Sequence, residues 1–324
     1  MEVLFEGTAG PLGRPVPGCP CASCGRLPAP RRPTRVLVDG RPLPQDGFTV
    51  VAADGGRLLH AAPGFVPGPA DGPYDVVLLD VLDRPERLGL LRRLGLVTGR
   101  THVVAVGIDH RVPSEAELER RLALWGVRAV PDGTLLDARG PAPARPEPPR
   151  RTLLLGGSRS GKSAEAELRL LAEPEVVYAA TGPSGDGDPE WLGRIRAHRE
   201  RRPAHWSTAE TTDLAGLLAE ARSPLLVDGL GTWVTAVLDG CGAWDRAPEA
   251  LARVEARCDE LVAAWRRTRA RVVAVSDEVG LGVVPATSGG RLFRDVLGRL
   301  NQRLAAESEE VALVVAGRLL PLPV

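Results

Sequence analysis

Lysine is almost missing from this chain: of its 41 basic residues only Lys162 is a lysine, and arginine supplies the rest. Where arginine has displaced lysine so widely, the position that keeps lysine calls for a compact ammonium on a thin stem, which a planar guanidinium cannot imitate. Long apolar runs are missing too. No stretch approaches the roughly 20 residues needed to cross a bilayer, and the N-terminal Met1-Glu-Val-Leu-Phe-Glu6 has neither the basic start nor the small-residue cleavage site of a signal peptide. The cytoplasm is therefore the expected compartment, with no membrane anchor. An excess of charge of either sign is also lacking, since 41 acidic residues balance the 41 basic ones. That argues against nucleic acid or an anionic membrane as the partner and favours a small-molecule substrate.

Cysteine is scarce and odd in number. Three of the five crowd into Cys19-Pro-Cys21-Ala-Ser-Cys24, with Cys241 and Cys258 far away. A disulfide framework does not suit this compartment. The cluster reads either as a reduced loop or as part of a zinc site completed by a histidine such as His60 or His110, with no second cysteine pair to decide between them.

At 324 residues the chain exceeds one ordinary domain. Residues 141–150 carry prolines that bar helix and central strand alike, so they are expected to link a domain over 1–140 to one over 151–324. In the second half, apolar runs at Thr152 to Leu155, Val176 to Ala180, Leu225 to Val227, Val272 to Val275 and Val311 to Val315 alternate with helical patterns. This predicts an α/β fold with a mostly parallel sheet covered by helices on both faces. Ala204 to Glu210 reads as an extra edge strand or hairpin. The first half shows weaker α/β signals, with strands near Val3 to Phe5, Arg35 to Val38, Val76 to Leu79 and His102 to Gly107, and helices at Glu86 to Leu94 and Glu115 to Trp125.

The chemistry concentrates between a strand and a helix. Gly156-Gly157-Ser158-Arg159-Ser160-Gly161-Lys162-Ser163 matches G-x-x-x-x-G-K-[ST], after Thr152 to Leu155 and before the helical run Ser163 to Leu171. Glycines let backbone N–H groups and a helix N-terminus converge on phosphate oxygens, Lys162 reaches the terminal phosphates, and Ser163 is placed to ligate Mg²⁺. A carboxylate at a neighbouring strand end should share that ion. Asp228 and Glu278 are the candidates, and either could cap a helix instead. On the predicted helix Asp188 to Pro203, Trp191, Ile195 and His198 share one face, so His198 points inward, as a packed core residue or as a catalyst.

Together these blocks resemble the bifunctional adenosylcobinamide kinase / adenosylcobinamide-phosphate guanylyltransferase family over about residues 152 to 317. The matching residues include the phosphate loop, Ala180-Thr181, Arg194-Ile-Arg-Ala-His198, Thr208-Ala-Glu210, Asp228-Gly-Leu-Gly-Thr232 and Asp277-Glu-Val-Gly-Leu-Gly282. The resemblance implies a P-loop NTPase with a RecA-like sheet. It implies two reactions, phosphorylation of adenosylcobinamide by ATP or GTP and transfer of GMP from GTP to its phosphate, and it places the GMP-carrying histidine at His198. Nucleotide contacts carried over from it fall on Gly156 to Ser163, Thr181, Gly182, Arg199, Glu200, Arg201, Arg202, Glu210 and Asp228. It also implies a homo-oligomer, a trimer. The alternative from the residues alone is a P-loop kinase or ATPase with no covalent guanylyl step, or a nucleotide-sensing binding protein.

The first half more faintly resembles a metallo-β-lactamase-type domain through Gly7-Thr-Ala-Gly10, the cysteine cluster, Leu78-Leu-Asp80 and Val104 to His110. The stretch matching that fold's histidine-rich metal motif, Asp80 to Glu86, has no histidine, so a degenerate, metal-free domain with a structural or regulatory role is expected.

Overall fold

The structure, a computed structural model, describes residues 1–44, 48–62, 65, 66, 68, 72–182, 193, 196, 200 and 202–323. It divides into two compact units, Met1–Pro148 with Leu171–Pro174, and Pro149–Leu170 with Glu175–Val324.

The first unit contains two four-stranded sheets. One has the order β3-β2-β1-β8, from β1 (Glu2–Gly7), β2 (Arg35–Val38), β3 (Arg41–Pro42) and β8 (Thr134–Asp137), and is antiparallel throughout. The other is β4-β5-β6-β7, from β4 (Thr49–Val51), β5 (Arg57–Ala61), β6 (Val76–Asp80) and β7 (His102–Val106). It is parallel except at β4. Val3, Phe5, Val36 and Val38 of one sheet and Leu58, Val76, Leu78 and Val104 of the other belong to a single buried cluster. Alternation of side chains along each strand delivers this inner face. The helix Glu115–Trp125 runs exactly where the sequence places it, because Ser114 accepts from the Glu117 N–H at its start and Gly126, at φ 64°, ends it in the left-handed region.

The second unit is one seven-stranded sheet of order β11-β10-β12-β13-β9-β14-β15. Its strands are β9 (Arg151–Gly156), β10 (Val177–Ala180), β11 (Ser207–Glu210), β12 (Leu225–Asp228), β13 (Val272–Asp277), β14 (Glu310–Val315) and β15 (Arg318–Leu322). All pairings are parallel except the terminal β14–β15 hairpin, which the sequence pattern does not reveal. The uncertain segment before Glu210 is a short parallel edge strand, largely exposed, which explains its lack of an apolar signature.

One face of this sheet packs Leu153, Leu155, Val227 and Ala274 against the helices Leu214–Glu220, Leu230–Cys241, Pro248–Arg267 and Ser288–Ala305. The helix Lys162–Leu170 packs on β9, β12 and β13. Its buried Arg169 is paired with Glu165 at 2.9 Å and with Glu310 of β14, so a buried charge is compensated from two elements. Trp265, 1% exposed, donates its indole N–H to Ser308 at 3.2 Å from the centre of the helical layer. Trp265→Ala should remove about 3–5 kcal/mol of stability by leaving a cavity. The measurement is amide hydrogen exchange in β9 and β13, whose protection should fall together.

Candidate active site

In-register pairing sets Gly156 of β9 beside Asp277 of β13, Val275 of β13 beside Asp228 of β12, and Asp228 beside Ala180 of β10, which in turn lies beside Glu210 of β11. The carboxyl ends of five parallel strands therefore form one edge, where ligands of open α/β sheets are bound.

The phosphate loop leaves this edge at Gly156, and its geometry explains its glycines. A Cβ on Gly156 would stand 2.6 Å from both Ser160 Oγ and the Val314 carbonyl oxygen. Gly161 has φ 99° and lies against the Gly317 backbone, and Gly317 N–H donates to the Ser160 carbonyl at 2.7 Å. The loop is thus clamped between its own turn and the β14–β15 turn. Gly157, Ser158 and Arg159 are exposed, with Arg159 at φ 56°, while Ser160 is buried and its hydroxyl has no hydrogen-bond partner among the described residues. The helix starting at Lys162 adds the unpaired N–H groups of its first turn.

Lys162 Nζ donates to the Gly157 carbonyl at 3.0 Å and lies 2.9 Å from Asp277 Oδ1. Ser163 Oγ donates to Asp228 Oδ1 at 2.9 Å, and the other carboxylate oxygen, Oδ2, accepts from Tyr178 OH at 2.8 Å. Burial, with the Asp228 carboxylate beside it, pushes the Tyr178 phenol well above its ordinary pKa, so it stays a donor. Arg202 lies 3.5 Å above the Tyr178 ring and donates to Thr208 Oγ1 at 3.2 Å. A hollow of about 510 Å³ is lined by Arg202, Trp206, Thr208 and Glu210.

These contacts join Ser163 to Asp228 and Lys162 to Asp277, while Arg202 and Glu210 line one hollow. Thr181 is also at the edge, but its hydroxyl is committed to the Gly229 carbonyl and to Thr232 Oγ1, both at 2.7 Å. Glu278 turns its carboxylate back onto the Gly280 N–H at 2.7 Å. The carboxylate that meets Lys162 is Asp277, which sequence reasoning passes over because β13 runs two residues past the apolar run that marks it. Tyr178 is missed for a related reason, since one aromatic inside a buried strand reads as core. Gly182 is half-buried beyond β10 and Glu200 is exposed, whereas His198, Arg199 and Arg201 lie outside the described residues.

The family model described as cobinamide kinase / cobinamide phosphate guanyltransferase matches residues 152–322, which spans the whole of this strand edge. The chain belongs to this family. The cobinamide kinase / guanyltransferase region resembles the bifunctional adenosylcobalamin biosynthesis protein CobU of Salmonella typhimurium, 42% identical over 175 residues that make up 51% of this chain and 95% of the relative. It is 40% identical to the CobU protein of Escherichia coli, again over 51% of this chain and 95% of the relative. It is 42% identical to the bifunctional adenosylcobalamin biosynthesis protein CobP of Pseudomonas aeruginosa over 53% of this chain and 96% of the relative. Residues 1–151 lie outside the family match.

Gly156→Ala tests the clamp in this family site. The Val314 carbonyl belongs to backbone and yields little space, so nucleotide affinity should fall by about tenfold or more, roughly 1.4 kcal/mol, in isothermal titration calorimetry. An unchanged affinity would show that the loop is not where phosphate binds.

Proposed function

We propose that the second unit carries out both reactions of its family, in cobalamin biosynthesis. In the first, the aminopropanol hydroxyl of adenosylcobinamide attacks the γ-phosphorus of ATP or GTP; the hydroxyl gives up its proton and the nucleoside diphosphate leaves. In the second, a nitrogen of His198 attacks the α-phosphorus of GTP, the bond to pyrophosphate breaks, and the histidine carries GMP. A phosphate oxygen of adenosylcobinamide phosphate then displaces the histidine, giving adenosylcobinamide-GDP. Such a covalent step divides one difficult transfer into two easier ones.

The observation that carries this reading is the phosphate loop clamped on the carboxyl edge of a parallel sheet, with Lys162 and the Ser163–Asp228 pair at its mouth. Phosphate oxygens would compete with Asp277 for the Lys162 ammonium, delivering a charge to the group being transferred. Ser163 Oγ and Asp228 Oδ1, 2.9 Å apart, are the hard oxygen donors that suit Mg²⁺, and we assign the ion to them rather than to Glu278. When bound, the ion would neutralise charge on the phosphates. Tyr178 holds the second oxygen of Asp228, fixing the carboxylate toward Ser163. Glu210, in the hollow beside Arg202, suits the N1–H and 2-amino donors of guanine, and the role of neutralising the α-phosphate is assigned to Arg202 together with Arg199 and Arg201. Thr181 acts through the backbone of the strand edge, since its hydroxyl is engaged elsewhere. The working protein is a homo-oligomer, a trimer, which light scattering on the full chain measures. No helix among the described residues is long and apolar enough to cross a membrane.

Incubation with GTP labelled at the α-phosphate should leave acid-labile label on the protein, and γ-label should not remain. His198→Ala should abolish the label. Label that survives this substitution sinks the nucleophile, and a wild-type protein that never labels favours a kinase without a covalent step. Lys162→Ala should slow cobinamide phosphorylation by about 100-fold or more, followed by formation of the phosphorylated corrinoid, whereas His198→Ala should leave that step running.

A further inference from the structure

The cysteine cluster plays no part in the nucleotide site, yet the first unit builds a specific environment around it. Cys19, Cys21 and Cys24 sit on a loop ending in the short helix Ala22–Gly25, and His110 lies beyond β7. The sulfur atoms approach one atom, His110 Nδ1, at 3.2 Å from Cys19, 3.8 Å from Cys21 and 3.9 Å from Cys24. All four candidate ligand atoms lie within 4.8 Å of one another. An imidazole nitrogen offers a single lone pair or a single hydrogen, so it satisfies one thiol and not three. Convergence of four soft donors on one point is what a central cation requires.

The distances agree with that. Zinc bonds of about 2.3 Å to sulfur and 2.0–2.1 Å to nitrogen in a tetrahedron put each sulfur about 3.5 Å from the nitrogen, and the observed separations fall on both sides of that value. The backbone supports thiolates at two of the positions: the Cys24 N–H points at Cys21 Sγ at 3.5 Å, and the Val16 N–H at Cys24 Sγ at 3.4 Å. The two segments are also pinned together independently of any ion. Ser23, between the cysteines, donates to the Val112 carbonyl at 2.6 Å in a buried hydrogen bond. Gly10 N–H donates to the Ile108 carbonyl at 3.0 Å, and Ile108 N–H to the Thr8 carbonyl at 3.1 Å. Buried Arg14 reaches both Ser23 and Glu115, so the loop is held on a fixed base.

We propose that Cys19, Cys21, Cys24 and His110 hold a structural Zn²⁺ ion that fastens the N-terminal cysteine loop to the loop after β7. Three thiolates and an imidazole select zinc over the hard cations Mg²⁺ and Ca²⁺, and four protein ligands leave no open position for water or substrate. The role is to lock the fold of the first unit rather than to catalyse. His60, the other histidine that the sequence offers, stands in β5 and is not in the cluster.

The test uses the full chain, purified under reducing conditions, reconstituted with Zn²⁺ alone and freed of excess metal. Elemental analysis should find about one zinc per chain. Cys24→Ser and His110→Ala should each lose it, whereas His60→Ala and Cys241→Ser should keep it. Because a variant that misfolds would also lose metal, the wild-type protein supplies a second readout. A chelator should release the ion and expose three additional thiols to a thiol reagent, and exchange into Co²⁺ should give the sulfur-to-cobalt charge-transfer and intense visible bands of a tetrahedral thiolate site. Absence of zinc after reconstitution, retention of zinc by His110→Ala, or a cobalt spectrum without thiolate bands would each overturn the assignment.

Discussion

No side chain fits at position 156. A single carbon there would press on the Val314 carbonyl and the Ser160 hydroxyl at 2.6 Å, and Gly161, the last glycine of the loop, leans on the Gly317 backbone. This close approach of a turn to a neighbouring hairpin is what the shape of the phosphate loop depends on. It brings the chain out of β9 in the one direction that starts a helix at Lys162, and so sets where the ammonium and the Ser163 hydroxyl emerge. The parallel register does the rest, because it ends β12 and β13 at the same edge and presents Asp228 and Asp277 to those two groups.

The cost of the arrangement falls on the surrounding packing. Loop backbone that curls around an anion gives up hydrogen bonds to its own chain, and the site holds a buried serine hydroxyl without a partner among the described residues. The sheet beneath offsets this with strands buried on both faces and a helical layer centred on Trp233 and Trp265. Rigidity below and unsatisfied polar groups above are the usual division of labour between a scaffold and its binding edge.

Much of the second unit was legible because its strands are apolar on both faces and its loop has a fixed spacing. Local signals end where tertiary ones begin. The strand Ser207–Glu210 is exposed along most of its length and takes its direction from β10, so nothing in its own residues announces a parallel partner. The hairpin strand Arg318–Leu322 contains Pro321 and is mostly exposed, which hides it from periodicity. In the first unit Val3 to Phe5 and Arg35 to Val38 are readable, whereas β3, of two residues, and β4, of three, are too short to leave a pattern. At the site, Lys162, Ser163 and Asp228 could be chosen from sequence, but Asp277 and Tyr178 act through register and burial, which spacing does not encode. Likewise, the sequence left His60 and His110 as equal companions to the cysteines, and only the chain path separates them.

The Lys162–Asp277 contact has a practical corollary. Apart from the chain's α-amine, the protein has one primary amine, and that amine is largely shielded at the mouth of the phosphate loop, with 12% of its side chain exposed. Acylating or Schiff-base-forming reagents, which on most proteins scatter over many surface sites, here have a single side-chain target. On the proposed reading of the loop as the phosphate site, a bound nucleotide would cover that amine and lower its reactivity. If the loop holds nucleotide as proposed, the scarcity of lysine makes ordinary amine chemistry a gauge of its occupancy, and it leaves the remaining surface without lysines to glycate or acetylate.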